Sequence, residues 1–249
     1  MLKYDFAGQT AIVTGGTRGI GAAITTALLQ AGARVMATFA SNAQAADKFR
    51  QSLPADLADR LETASFDVSD YETCEQFFHE FDATHPSLDI LVHSAGIRQD
   101  AVTAMMPRET WQRVLDVNLG GAFNMAKLAT LRMVSRRYGR ILLLTSPVGR
   151  LGFAGQANYG ASKAGLVALA KSLAKETARR KITVNCLSPG FIDTDFIATL
   201  PEEQRQEYQK LVPERRFGRP EEVANAALFL LSEEAEYITG TVLEISGGL

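Results

Sequence analysis

"TAIVTGGTRGIGAAITTALLQAG", residues 10–32, begins with a β-branched, apolar run, ends with an alanine-rich one, and carries a cluster of glycines between them. Thr10–Thr14 suits a strand covered on both faces. Residues 19–31 repeat apolar side chains at helical spacing. Gly15, Gly19 and Gly21 stand at the junction, spaced Gly-x3-Gly-x-Gly. Glycine lets the backbone turn sharply and lets a ligand approach with no Cβ in the way. The helix that starts here turns free N–H groups and a partial positive charge toward the loop. The order strand, glycine loop, helix therefore predicts a first βα unit with a phosphate-binding turn. The spacing is not the Gly-x-Gly-x-x-Gly dinucleotide fingerprint, and a glycine cluster alone also serves an ordinary turn.

The same rhythm continues outward from this unit. Further strands are expected at Arg34–Phe39, Leu61–Phe66, Asp89–His93, Arg140–Thr145, Thr183–Ser188 and Thr241–Ile245. Helical patterns fill residues 43–51, 70–83, 108–137, 157–179 and 220–232. Alternating strands and helices imply βαβ units with right-handed crossovers. The expected fold is an α/β, Rossmann-like, doubly wound parallel sheet with helices on both faces. In such sheets ligands bind outside the carboxyl ends of the strands. No repeat, Pro-rich linker or low-complexity stretch divides the chain, so residues 1–249 read as one domain. Residues 190–218 break the rhythm with a long excursion whose middle, "PEEQRQEYQKL", is polar and helix-prone. Its place at a strand end suggests a lid over the site; a solvated helical insertion would read the same way.

Composition excludes several functions. Of the 249 residues, 46% are hydrophobic and 22% charged, the mix of a globular protein with a sizeable core. A formal net charge of -2 argues against a nucleic-acid binder. Lys3 and Asp5 interrupt the start, so no signal peptide is expected, and runs such as "RILLLTS" are too short to span a bilayer. Cys74 and Cys186 are isolated, which points to a reduced, cytoplasmic protein. His79, His85 and His93 show no metal-ligand spacing, so no metal site is expected.

NAD-type sites put an acid at the end of the second strand, where it binds the ribose 2′-hydroxyl. Here the sequence reads "RVMATFASNAQ", with no Asp or Glu before Asp47. Arg18, Ser41 and Asn42 are instead available to a 2′-phosphate, which favours NADP. An ordinary exposed arginine at position 18 is the plainer alternative.

Tyr159 and Lys163, in "NYGASK", lie four apart and share one helical face. A nearby ammonium favours the phenolate. Moving a tyrosine from about 10 toward 7 takes roughly 4 kcal/mol, more than one lysine supplies in water. A closed cleft and a positively charged nicotinamide ring would supply the rest. Lys163 is also placed to hydrogen-bond the nicotinamide ribose. Ser146 ends the strand in "ILLLTSPVG" and can donate to a substrate carbonyl while Tyr159 gives it a proton. Asn118, in "LDVNLGG", falls mid-helix, where Asn is a poor helix former; buried there, it could order a water that links Lys163 to solvent. Singly, each has a bland reading: a surface pair, a capping serine, a packed asparagine.

Together these motifs resemble the short-chain dehydrogenase/reductase family along the whole length. The resemblance rests on Thr14-Gly-Gly-Thr-Arg-Gly-Ile-Gly21, Asp67-Val68, His93-Ser-Ala-Gly96, Asn118, Ser146, Tyr159-x3-Lys163 and Pro189-Gly190-x3-Thr194. It implies a seven-stranded parallel sheet and the catalytic set Asn118, Ser146, Tyr159 and Lys163. It implies a phosphate loop of Gly15, Thr17, Arg18, Gly19, Ile20 and Gly21, with Asp67 and Val68 near the adenine. Ser94, Ala95 and Gly96 would border the adenosine ribose, and Pro189, Gly190, Ile192 and Thr194 the carboxamide. Within the family the chain is most similar to β-ketoacyl-acyl-carrier-protein reductases, through "GRILLLTSPVGRLGFAGQANYGASKAGL", "KITVNCLSPGFIDTD" and "ITGTVLEISGGL". That similarity implies NADPH, a 3-oxoacyl chain on acyl carrier protein and a homotetramer. It assigns Arg137 and Lys175 to the carrier contact, expected as a basic patch at the cleft entrance, although helix-end charges are equally ordinary there. Three departures stand out: His93-Ser94 where Asn-Asn is common, Pro147 after the serine, and an ending in "SGGL".

Other activities fit the same residues. One is a reductase of coenzyme A thioesters, or of polyene or polyketide intermediates. Another is a dehydrogenase of a sugar or other secondary alcohol. A third is an NADP-binding regulatory protein without turnover, against which the presence of both Tyr159 and Lys163 counts.

Overall fold

The structure, a computed structural model, describes residues 4–198 and 200–249, so Lys3 and Thr199 lie outside the described residues. Among the described residues, seven strands form one all-parallel sheet in the order β3-β2-β1-β4-β5-β6-β7. They are β1 (Thr10–Thr14), β2 (Arg34–Phe39), β3 (Leu61–Ser65), β4 (Ile90–His93), β5 (Gly139–Leu144), β6 (Ile182–Pro189) and β7 (Val242–Ile245). Every residue of β1, β4, β5 and β6 is buried, which is why these strands read as mainly apolar runs. The edge strand β3 is half exposed and correspondingly polar. The parallel βαβ architecture expected from the alternation is what forms, with strand ends shifted by a residue.

The helices are α1 (Gly19–Gln30), α2 (Ala43–Ser52), α3 (Ala55–Ala58), α4 (Tyr71–Thr84), α5 (Arg108–Leu115), α6 (Gly121–Arg136), α7 (Val148–Leu151) and α8 (Ala157–Thr177). After β6 come α9 (Asp195–Ala198), α10 (Glu202–Leu211) and α11 (Pro220–Leu231). Two apolar layers result. Ile24 and Leu28 of α1 meet Val223 and Leu230 of α11 over one face of the sheet. Phe78 of α4, Met125 of α6 and Leu166 of α8 cover the other. The strand order reverses between β1 and β4, so a crevice opens beyond their carboxyl ends. One hydroxyl ties that point together. Thr14 Oγ1 accepts from the backbone N–H groups of Ser94 (3.2 Å) and Ala95 (3.1 Å) and meets His93 Nδ1 at 3.0 Å.

Residues 108–137 do not form the single helix expected. A π-helical turn, Asp116–Gly120, separates α5 from α6, and Gly121 N–H bonds back to the Asp116 carbonyl. The apolar period does not register one inserted residue, and such turns cluster at functional sites. The excursion after β6 contains α9 and α10, and its ends are fastened. Ile192 bridges Gly218, Asp193 N–H bonds the Gly218 carbonyl, and Gly218 N–H bonds the Phe191 carbonyl.

Candidate active site

A cleft of about 930 Å³ lies at the reversal point. It is lined by Gly15, Thr17, Arg18, Gly19, Ile20 and Gly21 from the first loop, and by Ser41 and Asn42 beyond β2. Asp67, Val68, Ser94, Ala95 and Gly96 line its middle, and Ser146, Tyr159, Lys163, Pro189, Gly190, Ile192 and Thr194 the far end. Of the residues singled out in the sequence for catalysis or cofactor binding, only Asn118 is not on the wall.

The glycine loop is pressed against β4. A Cβ on Gly15, whose φ is +62°, would stand 3.1 Å from the Ala95 backbone, and one on Gly21 only 2.1 Å from the Gly15 carbonyl oxygen. The chain there is shaped to leave a shallow cradle at the start of α1. Arg18 is exposed beside it, and its side chain makes no hydrogen bond or ion pair with another described residue. Asn42 does two things: it lines the cleft, and its Oδ1 caps α2 by accepting from Ala45 N–H at 2.9 Å. At the middle of the cleft, burial opposes the charge of Asp67. Hydrogen bonds from Ser69 N–H (2.9 Å) and Ser69 Oγ (2.7 Å), and from Arg113 (2.5 Å), outweigh it and hold the carboxyl below its ordinary range.

Asn118 sits one layer behind the wall, fully buried in the π turn. Its Oδ1 accepts from Ile97 N–H at 2.8 Å, and its Nδ2 donates to the Ile97 carbonyl (3.0 Å) and to Ser162 Oγ (3.1 Å). Both amide hydrogens are spent on protein groups. The side chain therefore fixes the loop after Gly96 against α8.

Lys163 is buried, and its Nζ donates to the Leu144 carbonyl at 2.8 Å. Burial pushes this ammonium down to about 8. Nζ stands 5.5 Å from the centre of the Tyr159 ring, over its face. The phenol of Tyr159 is moved upward, contrary to the acidification expected from the lysine. Burial is the main cause; the Ser146 hydroxyl and the Arg98 charge pull the other way, and Asp100 adds to the rise. Lys163 titrates at about 8, below the phenol, so its charge is gone before the phenol ionises. In the ligand-free protein the phenol is thus poised as a proton holder.

Ser146 Oγ accepts from Val148 N–H at 3.3 Å. Pro147 stands just before α7 with φ -54°, where it starts the turn and its missing N–H costs nothing. His93 is buried beneath the cleft and neutral, driven down to about 3 by burial and the Lys163 charge. Two backbone donors occupy Thr14 Oγ1, so its own proton goes to His93 Nδ1 and the ring carries its hydrogen on Nε2.

Two wall residues had no signal in the sequence: Arg113 clamps Asp67 from α5, and Arg98 lines the substrate end. Phe153 and Gln156, from the stretch 149–160 read as the substrate side, and Phe191, from the 190–218 segment, line the same end. Arg113 comes from the last turn of α5 and the others from loops or the residue before α8, all placed by tertiary packing. Arg137 and Lys175 are also not where expected. Both are exposed, at the ends of α6 and α8 just before β5 and β6 begin, so they lie at the opposite end of the sheet from this chain's cleft entrance. Arg137 there donates to the Arg179 carbonyl at 3.1 Å, and Lys175 lines a separate cavity of about 380 Å³.

A family model described as Enoyl-(Acyl carrier protein) reductase matches residues 15–249. The chain belongs to the short-chain dehydrogenase/reductase family. It is similar to the 3-oxoacyl-[acyl-carrier-protein] reductase of Aquifex aeolicus, 41% identical over the full length of both chains. It is 40% identical to the same-named protein of Escherichia coli, over 98% of each chain. It is likewise 40% identical to that of Chlamydia trachomatis, over 97% of each. This is an oxidoreductase family that uses a nicotinamide cofactor, and the glycine cradle, the uncommitted Arg18 and the open wall from Asp67 to Thr194 fit one. Among the described residues no helix is long and apolar enough to cross a membrane, and no cluster of metal-ligating side chains occurs.

Proposed function

We propose that the protein is an NADPH-dependent reductase of 3-oxoacyl thioesters carried by acyl carrier protein. The observation that carries this reading is a single cleft lined at one end by the glycine loop and at the other by Ser146, Tyr159 and Lys163. The absence of any acid at the end of β2, with Arg18 exposed beside it, favours the 2′-phosphate. The bound cofactor supplies hydride to the 3-carbonyl carbon. Ser146 holds the oxygen on which charge develops. Tyr159 delivers the proton to that oxygen, and its raised affinity for the proton keeps it loaded until the carbonyl is reduced. Lys163 grips the ribose and, once that is bound, assists the phenol in releasing its proton. Asn118 keeps Ile97 and Ser162 in register and anchors the water chain that resupplies the proton. The segment 190–218 acts as the lid.

The family description and the relatives' names differ in the bond reduced, an enoyl C=C in one and a 3-keto group in the other. The pairing of Ser146 with Tyr159 at a carbonyl oxygen favours the keto group. The test is NADPH oxidation across carrier-bound 3-oxoacyl chains of graded length and unsaturation. Coenzyme A-linked 3-oxoacyl chains and enoyl thioesters run beside them, sugar or secondary alcohols are tested with NADP+ for NADPH formation, and NADH replaces NADPH in parallel. Tyr159→Phe should abolish turnover with cofactor binding intact; near-normal turnover would overturn the mechanism. Chains from polyene or polyketide synthesis belong in the same panel.

Arg137 and Lys175 remain the proposed carrier contacts. β5 has 6 residues, so roughly 20 Å separates that end of the sheet from the cleft, and the carrier's arm must span it or serve another copy's cleft. Charge reversal at both positions should reduce activity on carrier-bound substrate far more than on a small thioester; equal loss removes the docking assignment. A homotetramer is supported by Phe123 and Leu131, which leave α6 50% and 63% exposed. Light scattering tests it.

A further inference from the structure

Asp67 follows the end of β3 and stands on the cleft wall, with Arg113 of α5 beside it on the same wall. The Asp67 Oδ1 accepts from Ser69 N–H at 2.9 Å and from the Ser69 hydroxyl at 2.7 Å. Its Oδ2 accepts from Arg113 Nη2 at 2.5 Å. Arg113 Nη1 donates in turn to Ser69 Oγ at 2.8 Å. Guanidinium, hydroxyl and carboxylate thus close into one ring of hydrogen bonds. An ionised carboxylate accepts about four bonds and donates none. Among the described residues three of those places are filled, both on Oδ1 and one on Oδ2. The open place is on Oδ2, the oxygen that Arg113 holds.

The frame around this ring is fixed from α5 and α6. Asn124 Nδ2 of α6 donates to the Val68 carbonyl at 3.0 Å. A Cβ on Gly121 would stand 2.5 Å from Val68 Cγ2, so α6 starts in close contact with the residue after Asp67. Arg113 lies in the last turn of α5, just before the π turn whose Asn118 holds Ile97 and Ser162. The Arg113 and Asp67 side chains are 47% and 37% exposed, and an ion pair that open adds little to the stability of the fold. Its effect belongs to the cleft. Burial opposes the Asp67 charge, and the bonds from Ser69 and Arg113 outweigh it. A flat group laid over the carboxylate would bury it further, and the neighbouring cation offsets that cost.

We propose that Arg113 is a positioning residue for the adenine end of the cofactor: it fixes the Asp67 carboxylate so that the open place on Oδ2 selects a base with an exocyclic amino group. The inference rests on the reading of the cleft as a nicotinamide dinucleotide site with Asp67 at its adenine end. An acceptor-only group favours an N–H donor and repels an oxygen in the same place. Without Arg113, Ser69 holds Oδ1 alone and Oδ2 has no fixed direction. With it, both oxygens are held and the plane of the carboxylate is set.

The test is a calorimetric titration of the ligand-free protein, without substrate, by NADPH and by its hypoxanthine analogue, in which an oxygen replaces the adenine amino group. The parent should bind NADPH at least about tenfold tighter than the analogue, as expected for a hydrogen bond to a charged group. Arg113→Met should lower NADPH affinity at least about fivefold and leave the analogue within about twofold of the parent. Arg113→Lys keeps the charge without the fork and should recover part of the discrimination. Asp67→Ala should abolish the discrimination, and adding Arg113→Met to it should change neither affinity further. Arg113 is half-exposed, so its variants should melt close to the parent. Equal loss of both cofactors in Arg113→Met would mark a charge that acts on the phosphates, and unchanged NADPH affinity would mark an idle surface pair; either overturns the inference. A parent that binds the two cofactors equally overturns it as well. A parent that binds neither refutes the dinucleotide reading on which it rests.

Discussion

Lys163→Met keeps the length and apolar stem of the side chain and removes its charge, so it separates what the ammonium does for the reaction from what it costs the fold. Lys163 is 5% exposed, and burial takes its ammonium from the ordinary 10.5 to about 8. At about 1.4 kcal/mol per pKa unit, holding the cation out of water at neutral pH costs roughly 3 kcal/mol. The variant recovers that, but it leaves the Leu144 carbonyl, 2.8 Å from Nζ, without its donor. That loss is worth about 1–2 kcal/mol. The ligand-free variant should therefore be more stable than its parent at pH 7 by about 1–2 kcal/mol, while turnover is lost. The pH dependence sharpens the test. Between about 8 and 10.5 the unfolded chain holds the lysine proton and the folded chain has released it, so the parent gains stability as pH rises through that window. The advantage of the variant should shrink by about 2 kcal/mol between pH 7 and 9.5. Urea unfolding without cofactor at the two pH values measures both numbers. A stability difference that does not change with pH refutes the reasoning, because a buried ammonium of depressed pKa cannot give that result.

Gly21→Ala would push a Cβ to 2.1 Å from the Gly15 carbonyl oxygen, a backbone atom that moves only with the whole loop. NADPH affinity should fall at least about tenfold with about 1–3 kcal/mol of lost stability, read by fluorescence titration and thermal melting. Asn118→Ala leaves Ile97 N–H and C=O without side-chain partners. At about 1–3 kcal/mol for each buried group, unfolding should come several kcal/mol easier and turnover should drop, measured by urea titration and NADPH oxidation. Cys74 and Cys186 are buried, and burial pushes both thiols up to about 12. An aromatic disulfide reagent at pH 8 should label neither thiol in the native protein and both after unfolding.

The sheet was legible because burial on both faces leaves a plain mark: Ala11–Val13 of β1 and Ile141–Leu144 of β5 are apolar without a break, and the glycine loop must follow a strand to be useful. Ser146, Tyr159 and Lys163 were legible for a related reason, since a helical spacing of four and a strand end each fix where a side chain can go. What the sequence hid were contacts made across the fold. The break at Asp116–Gly120 adds one residue to a helix whose apolar period continues on either side. Arg113 and Arg98 look like any surface arginine until α5 brings one to Asp67 and the loop after β4 brings the other to Asp100. The direction of the Tyr159 shift was also out of reach, because it is set chiefly by burial in the folded cleft. The place of Arg137 and Lys175, away from this chain's cleft entrance, has a topological reason: helices that start beside the cleft finish at the far end of the sheet, and their terminal cations go with them.

Thr14 spans two strands with one oxygen, so the floor under the nucleotide behaves as a single plate. Nothing that varies in α9 and α10 needs to disturb it. A breeder of new substrate preferences could recast the walls around Phe153 and Phe191 many times over and leave hydride geometry untouched, whereas one methyl in place of that hydroxyl would unsettle every substrate alike.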